Sequence, residues 1–299
     1  MATSDTARSD TARSDTARSD TARSGLPSMT VGGVQVHGLS DGTLPTSLDR
    51  IVDMDRAQAL QLVGETDSSG TFPIPVNNFV IRRGDKVIMI DAGAGNTMYP
   101  TLGRLPDNLR AAGIDPKAVT HIVITHLHGD HANGLVDDAG HPHYPNAEIA
   151  VHEIEADFWM APDRVDDLDK VKANRARTRI NLKPYLDRIH RVRGNDDYLG
   201  FTPVIAPGHT PGHTCWVLSA PGGGFMALGD VVHVSAIQIS HPDAGMIYDL
   251  DKDQAVRSRK RILDMAATEH LAIAGAHVNA PGFGYVRRKG ATFAFEPAG

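Results

Sequence analysis

The sequence predicts an α/β fold built on two β-sheets, each covered by helices on its outer side. Three observations lead there. Short apolar runs of strand length come first, helical segments intervene, and that order repeats in two halves. With 299 residues, of which 41% are hydrophobic, the chain can bury a large core, as one large domain or two modest ones. Four predicted strand ends each close on a histidine or aspartate, and strand-to-loop junctions are where a rigid scaffold presents polar groups.

Residues 4–23 are four tandem copies of Ser-Asp-Thr-Ala-Arg with no large apolar side chain. Residues 1–24 are therefore expected to be a disordered tail or an upstream extension, with the globular domain from residue 25 to 299. Val31–Leu39 reads as a first strand, and Asp55–Val63 as a short helix with Ala57, Leu60 and Val63 on one face. Val76–Ile81 and Lys86–Ile90 are apolar runs joined at Arg83-Gly84-Asp85-Lys86, a hairpin signal. Asp91 then sits at a strand end, where a carboxylate can orient a histidine ligand.

Pro100–Ala112 has leucines at helical spacing and is stopped by Gly113. His121–Thr125 is a strand, followed by a strand at Glu148–Val151, a helix at Glu153–Met160 and a charged helical stretch at Asp166–Asp187, its charges read as a solvated face. In the second half, Ile189–Val192 and Phe201–Ala206 are strands, and Cys215–Ser219 with Phe225–Leu228 a hairpin. Asp251–Ala267 is a helix, Leu271–Ala274 a strand, and Tyr285–Arg288 with Thr292–Phe295 a closing hairpin.

The net charge of −6, with Lys and Arg scattered, offers no electrostatic footprint for nucleic acid or an anionic membrane. No apolar run reaches the roughly 18 residues of a membrane span. No signal-peptide core is visible, so a cytoplasmic location is expected, with a periplasmic one kept open should the amino terminus be misassigned. Cys215 is the single cysteine, which excludes intrachain disulfides and cysteine-based zinc clusters. Metal ligands must then be histidine and carboxylate.

That chemistry concentrates in His126-Leu127-His128-Gly129-Asp130-His131. Three imidazoles and a carboxylate this close would waste buried surface in an ordinary turn, whereas a divalent cation can hold them together. His213, Asp230 and His277 close three further strand ends or loops, which makes seven candidate ligands. Seven suit two metals with a shared carboxylate. His209, within Pro207-Gly208-His209-Thr210-Pro211-Gly212-His213, is expected to brace its loop.

At these residues the sequence resembles the metallo-β-lactamase superfamily, whose hallmark is His-x-His-x-Asp-His. The resemblance implies an αββα sandwich of two mixed sheets with a binuclear site at one edge. By motif, His126, His128 and His213 would hold the first metal; Asp130, His131 and His277 the second; and Asp230 would bridge. Zinc is the first expectation, though manganese, cobalt and iron accept the same donors. Ala156-Asp157-Phe158-Trp159 and the segments around Pro207–His213 and Gly275–Gly284 resemble the methyl parathion hydrolase and N-acyl homoserine lactone lactonase branch.

Met98, Tyr99, Trp159 and Tyr185 would then line a pocket for a small-molecule substrate, and the branch allows a homodimer. The expected activity is opening of lactones or esters by a metal-bridging hydroxide, with promiscuous phosphotriester hydrolysis. Asp130 would relay a proton, and His233, where the quorum lactonases place tyrosine, would hold the oxyanion. Organophosphate hydrolysis as the main activity and a glyoxalase II-like thioesterase are the alternatives.

Overall fold

The computed structural model describes residues 26–221 and 223–298, and the pentapeptide repeat lies outside the described residues. The first half runs β1 (Ser28–Val31), β2 (Val34–Ser47), β3 (Ile51–Val52), α1 (Arg56–Val63), β4 (Thr71–Arg83) and β5 (Lys86–Ile90). It continues through α2 (Leu105–Ala111), β6 (His121–Val123), the single turn α3 (Gly129–Ala132), β7 (Glu148–His152), α4 (Glu153–Met160), α5 (Asp169–Leu182) and β8 (Ile189–Val192). The second half holds β9 (Phe201–Ile205), β10 (Thr214–Ala220), β11 (Gly223–Ala227), α6 (Ser235–Gln238), β12 (Gly245–Met246) and α7 (Lys252–Thr268). It closes with β13 (Leu271–Ala274), β14 (Phe283–Lys289) and β15 (Thr292–Pro297).

One large sheet has the order β1-β2-β4-β5-β6-β7-β8, the other β15-β14-β13-β11-β10-β9, and β12 pairs with β3 apart from both. Both are mixed: β5 to β8 are parallel in the first, and β11 with β13 in the second. Strand alternation sorts the layers. On β5, Ile88 and Ile90 enter a core between the sheets with Phe79, Trp216, Phe225 and Phe283, while Val87 and Met89 face outward. The outward set packs under Leu105, Leu109, Trp159 and Leu182. On the far side, Met226 and Ile273 pack under Ile262, Leu263 and Ala266 of α7. The arrangement is the αββα sandwich that the motif resemblance implied. Among the described residues no helix is long and apolar enough to cross a membrane.

Several boundaries differ from the sequence expectation, each for a local reason. The single strand expected over Val31–Leu39 is a hairpin, because Gly32 and Gly33 turn the chain at φ of 54° and 80°. The helix expected from Pro100 begins at Leu105: Gly103 has φ 80°, and the Asp41 carboxylate takes the amides of Ala94, Gly103 and Leu105. On α1 the inward residue is Ala59, while Ala57 is exposed and Leu60 is 41% exposed. The charged stretch is regular only over α5. Its face is not wholly solvated, since Arg175 is 3% exposed, donates to the Phe158 carbonyl and pairs with Asp167.

Phe79 touches both Phe225 and Phe283, at centroid distances of 6.3 and 5.2 Å, and so bonds one sheet to the other. Phe79→Ala is expected to lower the unfolding free energy by about 3–5 kcal/mol, whereas Leu60→Ala should stay within about 0.5 kcal/mol. Denaturant titration measures both. Equal effects would mean that the inter-sheet core is misplaced.

Candidate metal centre

The site forms where strands from both sheets end at one edge. The end of β5 brings Asp91, β6 leads into the His126 motif, β11 runs into Asp230, and β13 into His277. The loop before β10 supplies His209 and His213. Close approach of these ends needs small residues: a Cβ on Gly229, at φ 52°, would lie 2.6 Å from His213 Nε2 and 2.9 Å from Thr125.

Asp230, 4% exposed, is the centre. Its Oδ1 lies 3.0 Å from His131 Nε2 and 3.2 Å from His277 Nε2. Its Oδ2 lies 3.2 Å from the Nε2 atoms of both His209 and His233, and 3.6 Å from that of His126. Asp130 Oδ2 is 3.3 Å from His277 Nε2 and 3.5 Å from His131 Nε2.

The outer nitrogens are fixed by partners that choose the ring's orientation. Asp91 accepts from His131 Nδ1 at 2.8 Å while also taking the amide and hydroxyl of Thr125, as its position at a strand end suggested. His277 Nδ1 donates to the Pro75 carbonyl at 2.7 Å, which leaves its Nε2 free to face the carboxylates. Glu155 accepts four donors: the Leu127 amide, Trp159 Nε1, Thr210 Oγ1 and the Gly212 amide, at 2.7–3.0 Å. It thereby joins the two histidine loops, although no spacing signal in the sequence marks it.

Burial holds His126 and His128 well below the ordinary imidazole range, and His213 down to about 3. Burial opposes charge at His131 and His277 too, but the neighbouring aspartates outweigh it, raising His131 and pushing His277 up to about 10. Burial would raise Asp130 and Asp230, yet the surrounding imidazoles keep both ionised.

Among the described residues, donor atoms gather in three groups, each within 4.8 Å: His126, His128 and His209; Asp130, His131, Asp230 and His277; and His209, His233 and Asp249. His126 Nε2, His131 Nε2 and Asp230 Oδ1 are buried and satisfy no hydrogen bond among the described residues, although they crowd together. Such orphaned donors aimed into one space fit divalent cations, which would neutralise the carboxylates and occupy the imidazoles.

The structure brings together six of the seven predicted ligands. His213 stands outside these groups, because its Nε2 accepts the Asp230 amide at 2.9 Å. His209, expected only to brace its loop, instead lies between His128 Nδ1 at 2.8 Å and Asp249 at 3.0 Å.

A cavity of about 510 Å³ opens above the cluster. Met98, Tyr99, Trp159, Asp130, Asp230 and His233 line it, with Tyr248 and Arg50, which sequence reasoning missed. Tyr185 does not: its ring is fully buried and its hydroxyl donates to the Leu135 carbonyl, so the pocket expectation fails there. Tyr248 arrives through the two-residue pairing of β12 with β3, too short to leave a periodic signal. Cys215 is buried with its thiol pushed up to about 12, the behaviour of a small core hydrophobe.

The sequence profile of the Metallo-beta-lactamase superfamily matches residues 71–277. N-acyl homoserine lactonase AttM of Azorhizobium caulinodans is 28% identical over 123 residues, 40% of this chain and 43% of that protein. The chain thus spans less than half the length of this curated relative. Among solved structures, hydrolase AbOPH of the beta lactamase superfamily superposes with a TM-score of 0.86 at 29% identity, covering 92% of this chain and 98% of the other. AidC, a dizinc quorum-quenching lactonase solved with its product, superposes with a TM-score of 0.81 at 25% identity, covering 93% and 98%.

Two variants test the centre. Metal analysis of protein loaded with zinc should give close to two ions per chain, and Asp230→Ala should retain one or none; two ions in that variant would refute the shared carboxylate. Glu155→Gln places an amide against four donors, so a loss of roughly 2–3 kcal/mol in denaturant titration is expected, together with lower metal occupancy. Unchanged stability would show that the four-way bridge contributes nothing.

Proposed function

We propose, from the premise that this chain belongs to the metallo-beta-lactamase superfamily, that it is a metal-dependent hydrolase that opens lactones or esters. The single observation that carries this reading is the buried cluster of histidines and two aspartates at the floor of an open cavity. The lactonase relative and the dizinc lactonase neighbour lend it support.

His126, His128, Asp130, His131, Asp230 and His277 would hold two divalent ions, with His209 or His213 completing the first site. When bound, such ions supply a water-derived nucleophile near neutral pH and polarise a carbonyl. The chain's own groups do the rest. Apolar side chains of Leu44, Ile74, Met98, Val171 and Leu250 line the cavity and would exclude bulk water from an acyl group. Trp159 stands 5.3 Å from the His128 ring with its indole nitrogen committed to Glu155, so its ring is a fixed wall.

Asp130 lies on the cavity wall and is placed to receive the proton that water gives up. His233 stacks on His277 at 5.7 Å and faces the cavity, where it can donate to the developing oxyanion. The oxygen of water bonds to the carbonyl carbon, the acyl C–O bond breaks, and the alkoxide takes the proton, so that a lactone gives one hydroxy acid and an open-chain ester gives an acid and an alcohol. Tyr99, Trp159 and Tyr248 on the wall also suit an aryl leaving group, which favours promiscuous phosphotriester hydrolysis as a second reading.

The test is a hydrolysis panel on zinc-loaded protein: an acyl homoserine lactone, dihydrocoumarin, an aryl ester, paraoxon, nitrocefin and a glutathione thioester. Lactones and aryl esters should turn over, and Asp230→Ala should lower their kcat/KM by on the order of 100-fold or more. Turnover confined to the thioester would sink the reading.

A further inference from the structure

Two charged side chains on the cavity wall take no part in the cluster. Arg50 and Lys170 are both cationic, and the acidic residues lining the cavity are Asp130 and Asp230 alone. Neither cation has a carboxylate partner among the described residues. Asp49, next to Arg50 in sequence, is taken by Arg56, and Arg50 lies over the Tyr248 ring at 5.3 Å. What sets these two apart from the other cations of this acidic chain is their place, since both line the cavity that opens on the cluster.

Arg50 is also held in place. Its carbonyl accepts the Ile247 amide at 3.0 Å, and the Tyr248 hydroxyl on which it leans is within 3.3 Å of Thr46 Oγ1. Lys170 enters from the first turn of α5, beside Val171, which lines the cavity too. The same cavity is lined by the apolar side chains of Leu44, Ile74, Met98, Val171, Ile247 and Leu250. A neutral acyl chain would pack on those side chains and leave both cations without an anionic partner.

We propose that the substrate carries an anionic group, a carboxylate or its equivalent, outside the scissile ester or lactone, and that Arg50 and Lys170 on the cavity wall receive it. The inference rests on the hydrolase reading and narrows it to anionic esters and lactones. Arg50 and Lys170 are specificity residues here and touch no reacting atom. A guanidinium or ammonium against a carboxylate forms charge-assisted hydrogen bonds, which are roughly twice as strong as neutral ones.

The test uses zinc-loaded full chain and three para-nitrophenyl esters of equal acyl length, ending in carboxylate, methyl ester or ammonium. The carboxylate ester should have a KM about tenfold below that of the methyl ester, with the gap closing at about 0.5 M salt. Arg50→Glu and Lys170→Glu should raise KM for the carboxylate ester and lower it for the ammonium ester. Equal changes on all three esters, or no preference in the unaltered protein, overturn the proposal.

If no ester is hydrolysed, the hydrolase reading fails by itself, and the anion seat is judged by calorimetry with hexanesulfonate and hexanol. A sulfonate is a weak metal ligand and so reports on the cations. Binding of the sulfonate that Arg50→Glu abolishes upholds the seat. Equal binding of sulfonate and alcohol, or equal binding by both proteins, overturns it.

Discussion

Everything at the site edge depends on one buried carboxylate. Five imidazole Nε2 atoms, from His126, His131, His209, His233 and His277, stand 3.0–3.6 Å from the oxygens of Asp230. An isolated charge this deep costs several kcal/mol even after relaxation. The cost is offset here by imidazoles that arrive from both sheets, so the electrostatics of the centre and the packing of the sandwich are one problem. Phe79, Trp216, Phe225 and Phe283 hold the sheets at the separation that lets these rings meet.

The rings themselves are aimed from behind. Asp91 sets His131, the Pro75 carbonyl sets His277, and Glu155 ties the His126 loop to the loop carrying His209 and His213. Cooperation of this sort explains why small residues recur at the edge. A Cβ on Gly212 would meet the Glu155 amide nitrogen at 2.1 Å, and one on Gly134 would meet the Ala92 carbonyl at 2.1 Å. Backbone proximity, as much as side-chain identity, defines the centre.

Features carried by local pattern were legible in the sequence. The alternating runs around Ile88 and Ile90 revealed the sheets, and the density of donors in His126–His131 revealed the cluster. Asp230 and His277 followed from their strand ends. Features set by distant contacts were not legible. Which of His209 and His213 turns its free nitrogen towards the cluster depends on how a glycine-rich loop folds under Glu155, and spacing is silent on that. Tyr185 and Tyr248 look alike as isolated aromatics, yet one is buried just after α5 with its hydroxyl on the Leu135 carbonyl and the other reaches the cavity through a two-residue sheet. Leu60 reads as core by period, but the turn of α1 that packs inward presents Ala59 to the cluster of Leu48, Ile51, Phe72 and Ile237.

The bond from His277 to the Pro75 carbonyl has a consequence for how the protein is made. It fastens a residue near the carboxyl end to a strand of the first sheet, on which the amino-terminal half is built. While a ribosome is still synthesising the second sheet, the His126 cluster has neither its central carboxylate nor its last imidazole. Sequence-distant closure of this kind is slow to form, because its loop entropy is spent before any contact is gained. The full set of donor side chains therefore exists only once the two halves have docked.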